Sequence, residues 1–133
     1  MDEINQTIIA TLRKDARTPF LQIAKDLKVS EGTIRNRVKD LIKERIIKKF
    51  TLETAEDVFA IVGIETETKT ETKRIVEKIK QLNVETIYEV TGRFDIVCEV
   101  PSSDMERVNE TLEKIRSIQG VLHTETFTVL KKN

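Results

Sequence analysis

The sequence has 133 residues, of which 38% are hydrophobic, 35% charged and 5% aromatic, a size that fits one compact domain or two small ones. No apolar run approaches the roughly 18 residues that span a bilayer, and the first residues lack the basic and then apolar pattern of a secretion signal, so we expect a cytoplasmic protein. One cysteine, Cys98, and one histidine, His123, exclude an intrachain disulfide and a zinc site built by this chain alone, and no cofactor is expected.

The net charge of zero hides an asymmetry along the chain. Residues 1–54 hold 12 Lys and Arg against 8 Asp and Glu, whereas residues 55–133 hold 11 against 15. Seven of the basic residues lie between Arg35 and Lys49. Such a cluster suits a polyanion, because each neutralised phosphate releases counterions. The solvated faces of ordinary helices in a Lys-rich protein would give the same composition, so charge alone leaves both interpretations open.

Apolar residues at helical spacing predict three helices in the first part of the chain. The first begins after Asp2 and runs to about Asp15, the second begins at Pro19 after Thr18 as the cap, and the third begins after Ser30 and runs to about Glu44. Only residues 27–29 are left between the second and third helices. That spacing is typical of a DNA-binding helix-turn-helix.

The rest of the chain predicts an α+β fold of two domains, 1–54 and 55–133. A short connecting strand over 46–54 leaves the helical domain. The second domain then reads, in order, as a strand at 58–64, a helix around Ile75 and Ile79, strands at 84–91 and 94–100 joined by a two-residue Gly92-Arg93 hairpin, a helix capped by Ser102 or Ser103, and a strand at 121–130. This βαββαβ order is the ferredoxin-like arrangement. The strand at 58–64 is apolar on both faces, so we expect a second copy of the chain to cover the exposed side of the sheet.

The combination resembles the Lrp/AsnC family of prokaryotic transcriptional regulators over almost the whole chain. The residues that carry the resemblance are Asp2-Glu3-Ile4, Asp15-Ala16-Arg17, Ile23-Ala24, Val29-Ser30, Arg37-Val38, Ile46-Ile47, Thr91-Gly92-Arg93-Phe94-Asp95, Gly120-Val121 and Thr124-Glu125-Thr126. Two features depart from the family. Asn5 stands where such proteins usually carry Asp, and the connection from Phe50 to Val58 is shorter than usual.

The outer side of the third helix is the predicted DNA-binding surface. The first turns of a recognition helix face base edges, so Thr33, Asn36 and Arg35 are expected to read bases, Arg35 by a bidentate contact to guanine. The predicted phosphate contacts are Ser30, Arg37, Lys39 and Lys43. The alternatives are that Ser30 is only a helix cap and that Arg37 only pairs with an acid of its own chain, such as Asp15 or Asp40.

The resemblance implies an amino-acid effector at an interface between C-terminal domains, near Gly92, Arg93, Phe94, Asp95, Thr124, Glu125 and Thr126. Backbone amides beside a glycine suit an α-carboxylate and Asp95 suits an α-ammonium, while Glu89, Glu99 and Glu125 favour a basic side chain such as that of lysine. The alternatives are that Gly92 is only a hairpin glycine and Asp95 only a turn acceptor.

Three functions therefore compete. A dimeric or larger sequence-specific DNA-binding regulator with an amino-acid effector explains both halves of the chain. A regulator whose C-terminal domain only assembles the protein is the second. A metabolic enzyme or its regulatory subunit is the third, since this fold hosts many activities. The third leaves the basic helices unexplained. Cys98 is predicted to share one face of its strand with Phe94, Ile96 and Val100, as a buried apolar side chain does, so no catalytic residue is predicted.

Overall fold

The computed structural model describes residues 2–54, 59–68, 71–102 and 104–133. The chain divides into two compact units, Met1–Glu53 and Thr54–Asn133, each with its own apolar core. None of the helices in the described ranges is long and apolar enough to cross a membrane.

The N-terminal unit consists of three helices. They are α1 (Glu3–Lys14), α2 (Phe20–Leu27) and α3 (Glu31–Lys43). The predicted stripes form the core, which contains Ile8, Leu12, Ile23, Ala24, Ile34, Val38 and Leu41. Ile42, which the spacing along α3 also predicts to face inward, is instead 46% exposed. The caps of α1 and α3 are confirmed, because the Asp2 side chain accepts the Asn5 N–H at 2.8 Å and Ser30 Oγ accepts the Thr33 N–H at 3.1 Å.

The cap of α2 differs from the prediction by one residue. Pro19 occupies the cap position and α2 begins at Phe20, while the Thr18 hydroxyl donates to the Asp15 carbonyl at 2.7 Å. The hydroxyl is therefore used to close the preceding turn. The turn after α2 is made by Lys28, which adopts a left-handed conformation (φ 57°, ψ 43°), and the Val29 N–H returns to the Ala24 carbonyl at 3.0 Å.

The predicted connecting strand does not form within the single chain. Residues 46–54 pair with no strand among the described residues, and Phe50 and Leu52 are 49% and 72% exposed. A strand exists only by hydrogen bonding to a neighbour. The alternation of Phe50 and Leu52 with polar residues predicts a strand, but the alternation does not specify a partner for it.

The C-terminal unit is a four-stranded antiparallel sheet with two helices. Its elements are β1 (Ala60–Thr66), α4 (Thr72–Ile79), β2 (Ile87–Glu89), β3 (Ile96–Val100), α5 (Met105–Arg116) and β4 (Val121–Thr128). The strand order is β2-β3-β1-β4, so the βαββαβ prediction is confirmed. The predicted start of β1 at Val58 lies outside the described residues.

Two local predictions in this unit are wrong. The turn between β2 and β3 is not a two-residue hairpin, because the Val90 N–H bonds the Asp95 carbonyl at 3.0 Å and encloses residues 91–94. The cap of α5 is Asp104, whose side chain accepts the Glu106 N–H at 2.8 Å, while Ser102 Oγ accepts the Asp104 N–H at 3.1 Å. Ser103 lies outside the described residues.

The helices cover one face of the sheet. Ala60, Val62 and Ile64 of β1 pack with residues of α4 and α5 in the core. Because side chains alternate along a strand, the intervening residues point to the other side. We call this other side the open sheet face; it carries Ile61, Gly63, Glu65, Tyr88, Val97, Glu99, His123, Glu125 and Phe127.

Candidate nucleic-acid interface and effector site

The beginning of α3 is fixed by its own hydroxyl groups. Ser30 Oγ accepts the Thr33 N–H and lies 2.8 Å from Thr33 Oγ1, so the two hydroxyls bond each other. Thr33 is half-buried and Ser30 is exposed. The capping role of Ser30 leaves its side of the helix accessible.

The outer side of α3 carries the predicted polar and basic residues in exposed positions. Arg35, Asn36, Lys39 and Lys43 are exposed and lie away from the buried stripe of α3. Arg35 forms an ion pair with Glu31, one turn earlier, and keeps 51% of its side chain exposed. An exposed pair of this kind contributes little to stability, so it can give way to a stronger partner.

Arg37 behaves differently from its neighbours on α3. Its guanidinium contacts the Asp2 carboxylate and lies 3.4 Å from Asn5 Oδ1, so it reaches the beginning of α1. The acid that pairs with it is therefore Asp2, and neither Asp15 nor Asp40. The Asn5 N–H and then the Arg37 guanidinium hold the pKa of Asp2 below its usual value of 3.8.

A cationic groove of about 550 Å³ lies elsewhere on the N-terminal unit. The end of α1, the following loop and the connecting segment line it, and its basic residues are Arg13, Lys14, Arg17, Lys48 and Lys49. Its apolar lining includes Ile9, Leu12 and Phe50. The basic residues of this unit are therefore shared between this groove and the outer side of α3.

Three of the predicted effector residues meet on the open sheet face. The Phe94 ring lies over Gly63, the Arg93 guanidinium stands 5.4 Å from the centre of that ring, and Arg93 Nη2 lies 3.1 Å from Glu125 Oε2. Gly63 and Glu125 are direct neighbours across β1 and β4, which explains why one loop reaches both. Glu125 Oε2 is buried and is held by the ion pair without a well-oriented hydrogen bond from the described residues.

The other predicted effector residues are turned elsewhere. Asp95 accepts the N–H of Thr66 at 2.8 Å and its hydroxyl at 3.2 Å, which ties the loop to β1. Gly92 is exposed with φ +114°, the conformation that a hairpin glycine provides.

Thr124 and Thr126 lie on the helix-covered side of the sheet. They stand opposite the buried Ile64 and Val62 of β1. Thr124 Oγ1 accepts Arg116 Nε at 3.2 Å, and Thr126 Oγ1 is buried with no hydrogen-bond partner among the described residues. The seven predicted effector residues are thus divided between the two sides of the sheet.

Sequence reasoning missed Gly63, Thr66 and Asp2 as parts of these sites. A glycine inside an apolar strand was the available signal for Gly63, since such a position often marks a close approach by another group. Thr66 and Asp2 have no comparable signal, because their partners are 29 and 35 residues away in the chain.

Cys98 and His123 form no catalytic arrangement in the described structure. Cys98 is fully buried in the core of the C-terminal unit, as predicted, and burial raises the pKa of its thiol to about 12. His123 is exposed on β4. No group of three or more His, Cys, Asp and Glu side chains among the described residues could hold a metal ion.

Comparison with known proteins agrees with this division into a helical unit and a sheet unit. The family model of the AsnC-type helix-turn-helix domain matches residues 1–42, and that of the Lrp/AsnC ligand binding domain matches residues 58–132. The fold and its basic helix define an HTH-type transcriptional regulator. The chain belongs to the Lrp/AsnC family, which confirms the resemblance seen in the sequence.

Relatives with similar sequences are also regulators. The HTH-type transcriptional regulator LysM of Sulfurisphaera tokodaii is 42% identical over 134 residues, covering 98% of this chain and 96% of the relative. The HTH-type transcriptional regulator FL11 of Pyrococcus furiosus is 31% identical over 136 residues, covering 98% and 90%.

Solved structures show the same architecture. The structure of Escherichia coli AsnC matches with a TM-score of 0.74 at 27% identity, covering 99% of this chain and 93% of that one. A feast or famine regulatory protein from Mycobacterium tuberculosis complexed with L-methionine shares the fold with a TM-score of 0.80 at 19% identity, covering 98% and 92%.

Proposed function

We propose that this regulator binds operator DNA as a cytoplasmic homodimer through the outer side of α3, and that an amino acid on the open sheet face controls this binding. The observation that carries the proposal is the exposed polar side of α3, opposite the core stripe Ile34, Val38 and Leu41 and fixed by the Ser30 cap. We assign no catalytic step to the protein.

The proposed DNA contacts follow from exposure along α3. Asn36 and Arg35 are exposed near the beginning of the helix, where a recognition helix meets base edges, and Thr33 adds a hydroxyl there. Ser30, Lys39 and Lys43 are suited to phosphates, which position the helix without reading sequence. A dimer presents two such helices, so we expect half-sites about 10 base pairs or a multiple of that apart.

The DNA arm is tested by affinity for genomic fragments selected by the wild-type protein, against random duplex across a salt series. Arg35→Ala with Asn36→Ala should reduce the preference for selected fragments by tenfold or more, about 1.4 kcal/mol. Glu113→Ala with Lys114→Ala on α5 is the control and should leave it unchanged. Equal binding of selected and random DNA by the wild type would overturn the proposal.

The proposed effector contacts centre on Arg93 and Glu125. A guanidinium suits an α-carboxylate. The buried Glu125 Oε2 lacks a well-oriented donor from the part of the chain that the structure describes, and an ammonium group would supply one. Glu99 lies on the same face one row away. This chemistry favours an amino acid with a basic side chain, such as lysine.

The effector arm is tested by thermal stabilisation with each of the twenty amino acids. A ligand at about 100 times its dissociation constant adds about 2.7 kcal/mol. We expect a basic amino acid to stabilise the wild type, Glu125→Gln to lose the effect, and Glu106→Gln on α5 to keep it. Stabilisation by none of the twenty would favour a C-terminal unit that only assembles the protein.

The homodimer is supported by two exposed apolar surfaces. On the open sheet face, Tyr88 and Phe127 are 51% and 49% exposed. In the connecting segment, antiparallel pairing of two copies about Thr51 would place Phe50 opposite Leu52 and Lys49 opposite Glu53. Cross-strand pairs of these types are favourable in antiparallel ribbons.

Sedimentation over a dilution series tests this pairing. Lys49→Glu places two negative charges opposite each other, and the symmetry of the dimer repeats this pair once more. Each such pair costs about 0.2–1 kcal/mol, so the dissociation constant of the dimer should rise about two- to thirtyfold. Adding Glu53→Lys restores opposite charges and should restore the dimer. Failure of the double variant to restore it would contradict this pairing.

A further inference from the structure

A single carboxylate joins the beginning of α1 to the middle of α3. Asp2 Oδ1 accepts the Asn5 N–H at 2.8 Å and so caps α1, while Asp2 Oδ2 takes the Arg37 guanidinium. Asn5 Oδ1 lies 3.4 Å from the same guanidinium nitrogen. Arg37 is thus held by the side chain that caps α1 and by one side chain from the first turn of that helix.

We propose that Arg37 is a positioning residue, which orients the recognition helix through Asp2 and Asn5 and does not bind DNA phosphate. The proposal rests on the function proposed for α3. It replaces the phosphate contact that the sequence predicts for Arg37 and extends the alternative, that Arg37 pairs with an acid of its own chain.

The contact of Arg37 with Asp2 and Asn5 restricts the orientation of α3 in a way that the apolar core does not. Ile34, Val38 and Leu41 hold α3 against the core by apolar contact, which is not directional. A small rotation of α3 about its axis would keep most of that burial but would shift Asn36 and Arg35 relative to base edges. A guanidinium with planar, directional donors resists such a rotation.

The Arg37 side chain is less exposed than that of Arg35, two residues earlier on α3. The Arg37 side chain is 31% exposed, compared with 51% for Arg35. Arg35 pairs with Glu31 within α3, so its ion pair fixes nothing outside its own helix. The residues of the Arg37–Asp2 pair are 35 positions apart in the chain, and the pair joins α3 to the beginning of α1. The packing of these two helices determines which side of α3 faces outward.

Asp2→Asn is the variant that isolates the ion pair. Asparagine caps a helix about as well as aspartate, so α1 keeps its cap while Arg37 loses its charged partner. Asp104→Asn is the matched control, because it makes the same change at the cap of α5 in the other unit. Arg37→Gln and the double variant Asp2→Asn with Arg37→Gln complete a cycle.

The readout is the ratio of affinities for selected and random DNA in the full-length protein, measured across salt at a temperature where circular dichroism shows every variant folded. We expect Asp2→Asn and Arg37→Gln each to lower this ratio about three- to tenfold, and the double variant to be no worse than either. The slope of log affinity against log salt should stay unchanged for Arg37→Gln. Asp104→Asn should leave the ratio at the wild-type value.

A phosphate contact by Arg37 would give a different pattern. Arg37→Gln would then weaken selected and random DNA equally and reduce the salt slope by about 0.9, and Asp2→Asn would free Arg37 and strengthen both. That pattern, or an unchanged ratio in both single variants, overturns the positioning role while leaving the DNA-binding proposal intact. A wild type without any preference for selected DNA overturns both.

Discussion

The Phe94 ring lies so close to Gly63 that a Cβ at position 63 would meet three ring carbons at 2.6–2.7 Å. Gly63 belongs to the open sheet face and Phe94 lies over it, and Arg93 and Glu125 complete the cluster around the ring. The loop that follows β2 therefore packs against the backbone of Gly63 in the middle of β1. Because Gly63 has no side chain, the Phe94 ring can approach the sheet closely at the proposed effector site.

Gly63→Ala should destabilise the C-terminal unit by about 1–3 kcal/mol, the usual cost of overpacking. Phe94→Ala removes the ring that the new methyl group meets, so the double variant should lose less than the sum of the two single variants. Hydrogen exchange of the β1 amides measures the free energy of opening. Additive losses would contradict the close contact.

Lys28→Gly should stabilise the N-terminal unit by up to about 1 kcal/mol. Lys28 adopts a left-handed conformation (φ 57°, ψ 43°), which costs a non-glycine residue about 1–2 kcal/mol and glycine far less, partly offset by the greater freedom of glycine when unfolded. Lys28→Ala keeps the unfavourable conformation and should give no gain. Urea unfolding followed by helical circular dichroism compares the two, and equal stabilities would count against the strain.

Cys98 should be unreactive towards Ellman's reagent in the folded protein at pH 8. The side chain is fully buried, and burial raises the pKa of the thiol to about 12, so the reactive thiolate is scarce and shielded. In urea the thiol should react at the rate of an ordinary cysteine. Complete labelling of the native protein within seconds would show that β3 is open to solvent.

Asp2 should make the stability of the N-terminal unit depend on pH below about 4. Its folded-state pKa lies below the usual 3.8, because the Asn5 N–H and the Arg37 guanidinium favour the carboxylate. A lowered pKa gives stability that is present above the unfolded value and is lost as the pH falls through the folded value.

Wild type and Asp2→Asn should therefore differ most in free energy of unfolding at neutral pH and converge in acid. Arg37→Gln removes only the second of the two causes, so it should keep part of the pH dependence. Urea unfolding from pH 7 to pH 2.5 gives the three curves. A constant gap between wild type and Asp2→Asn across this range would contradict the assignment.

The sequence predicted the elements well where the cause is local. The Asp2 and Ser30 caps and the apolar stripes of α1 to α3 depend on residues within one or two turns. They formed as expected except at Ile42, which the spacing predicts to face inward and which is 46% exposed. Predictions failed where a partner is distant or absent. The segment around Phe50 pairs with no strand among the described residues. A choice between neighbouring capping residues can also fail, since Asp104 caps α5 and Ser102 accepts the Asp104 N–H.

The same distinction applies to the candidate sites. The motif Thr124-Glu125-Thr126 is continuous in sequence, yet alternation along β4 sends Glu125 to the open sheet face and both threonines to the helices. Which of them faces outward depends on the register with β1. Likewise, no local pattern shows that Arg37 reaches back to Asp2.

The position of Tyr88 gives the protein an optical reporter of its own. The chain has one tyrosine and no tryptophan, and this tyrosine lies half-exposed on the open sheet face beside Val97. Its ultraviolet emission, and the ease with which acrylamide quenches it, therefore describe that face alone. A small molecule or a second copy that covers the face would shield the phenol from the quencher, so occupancy could be followed in the unlabelled protein.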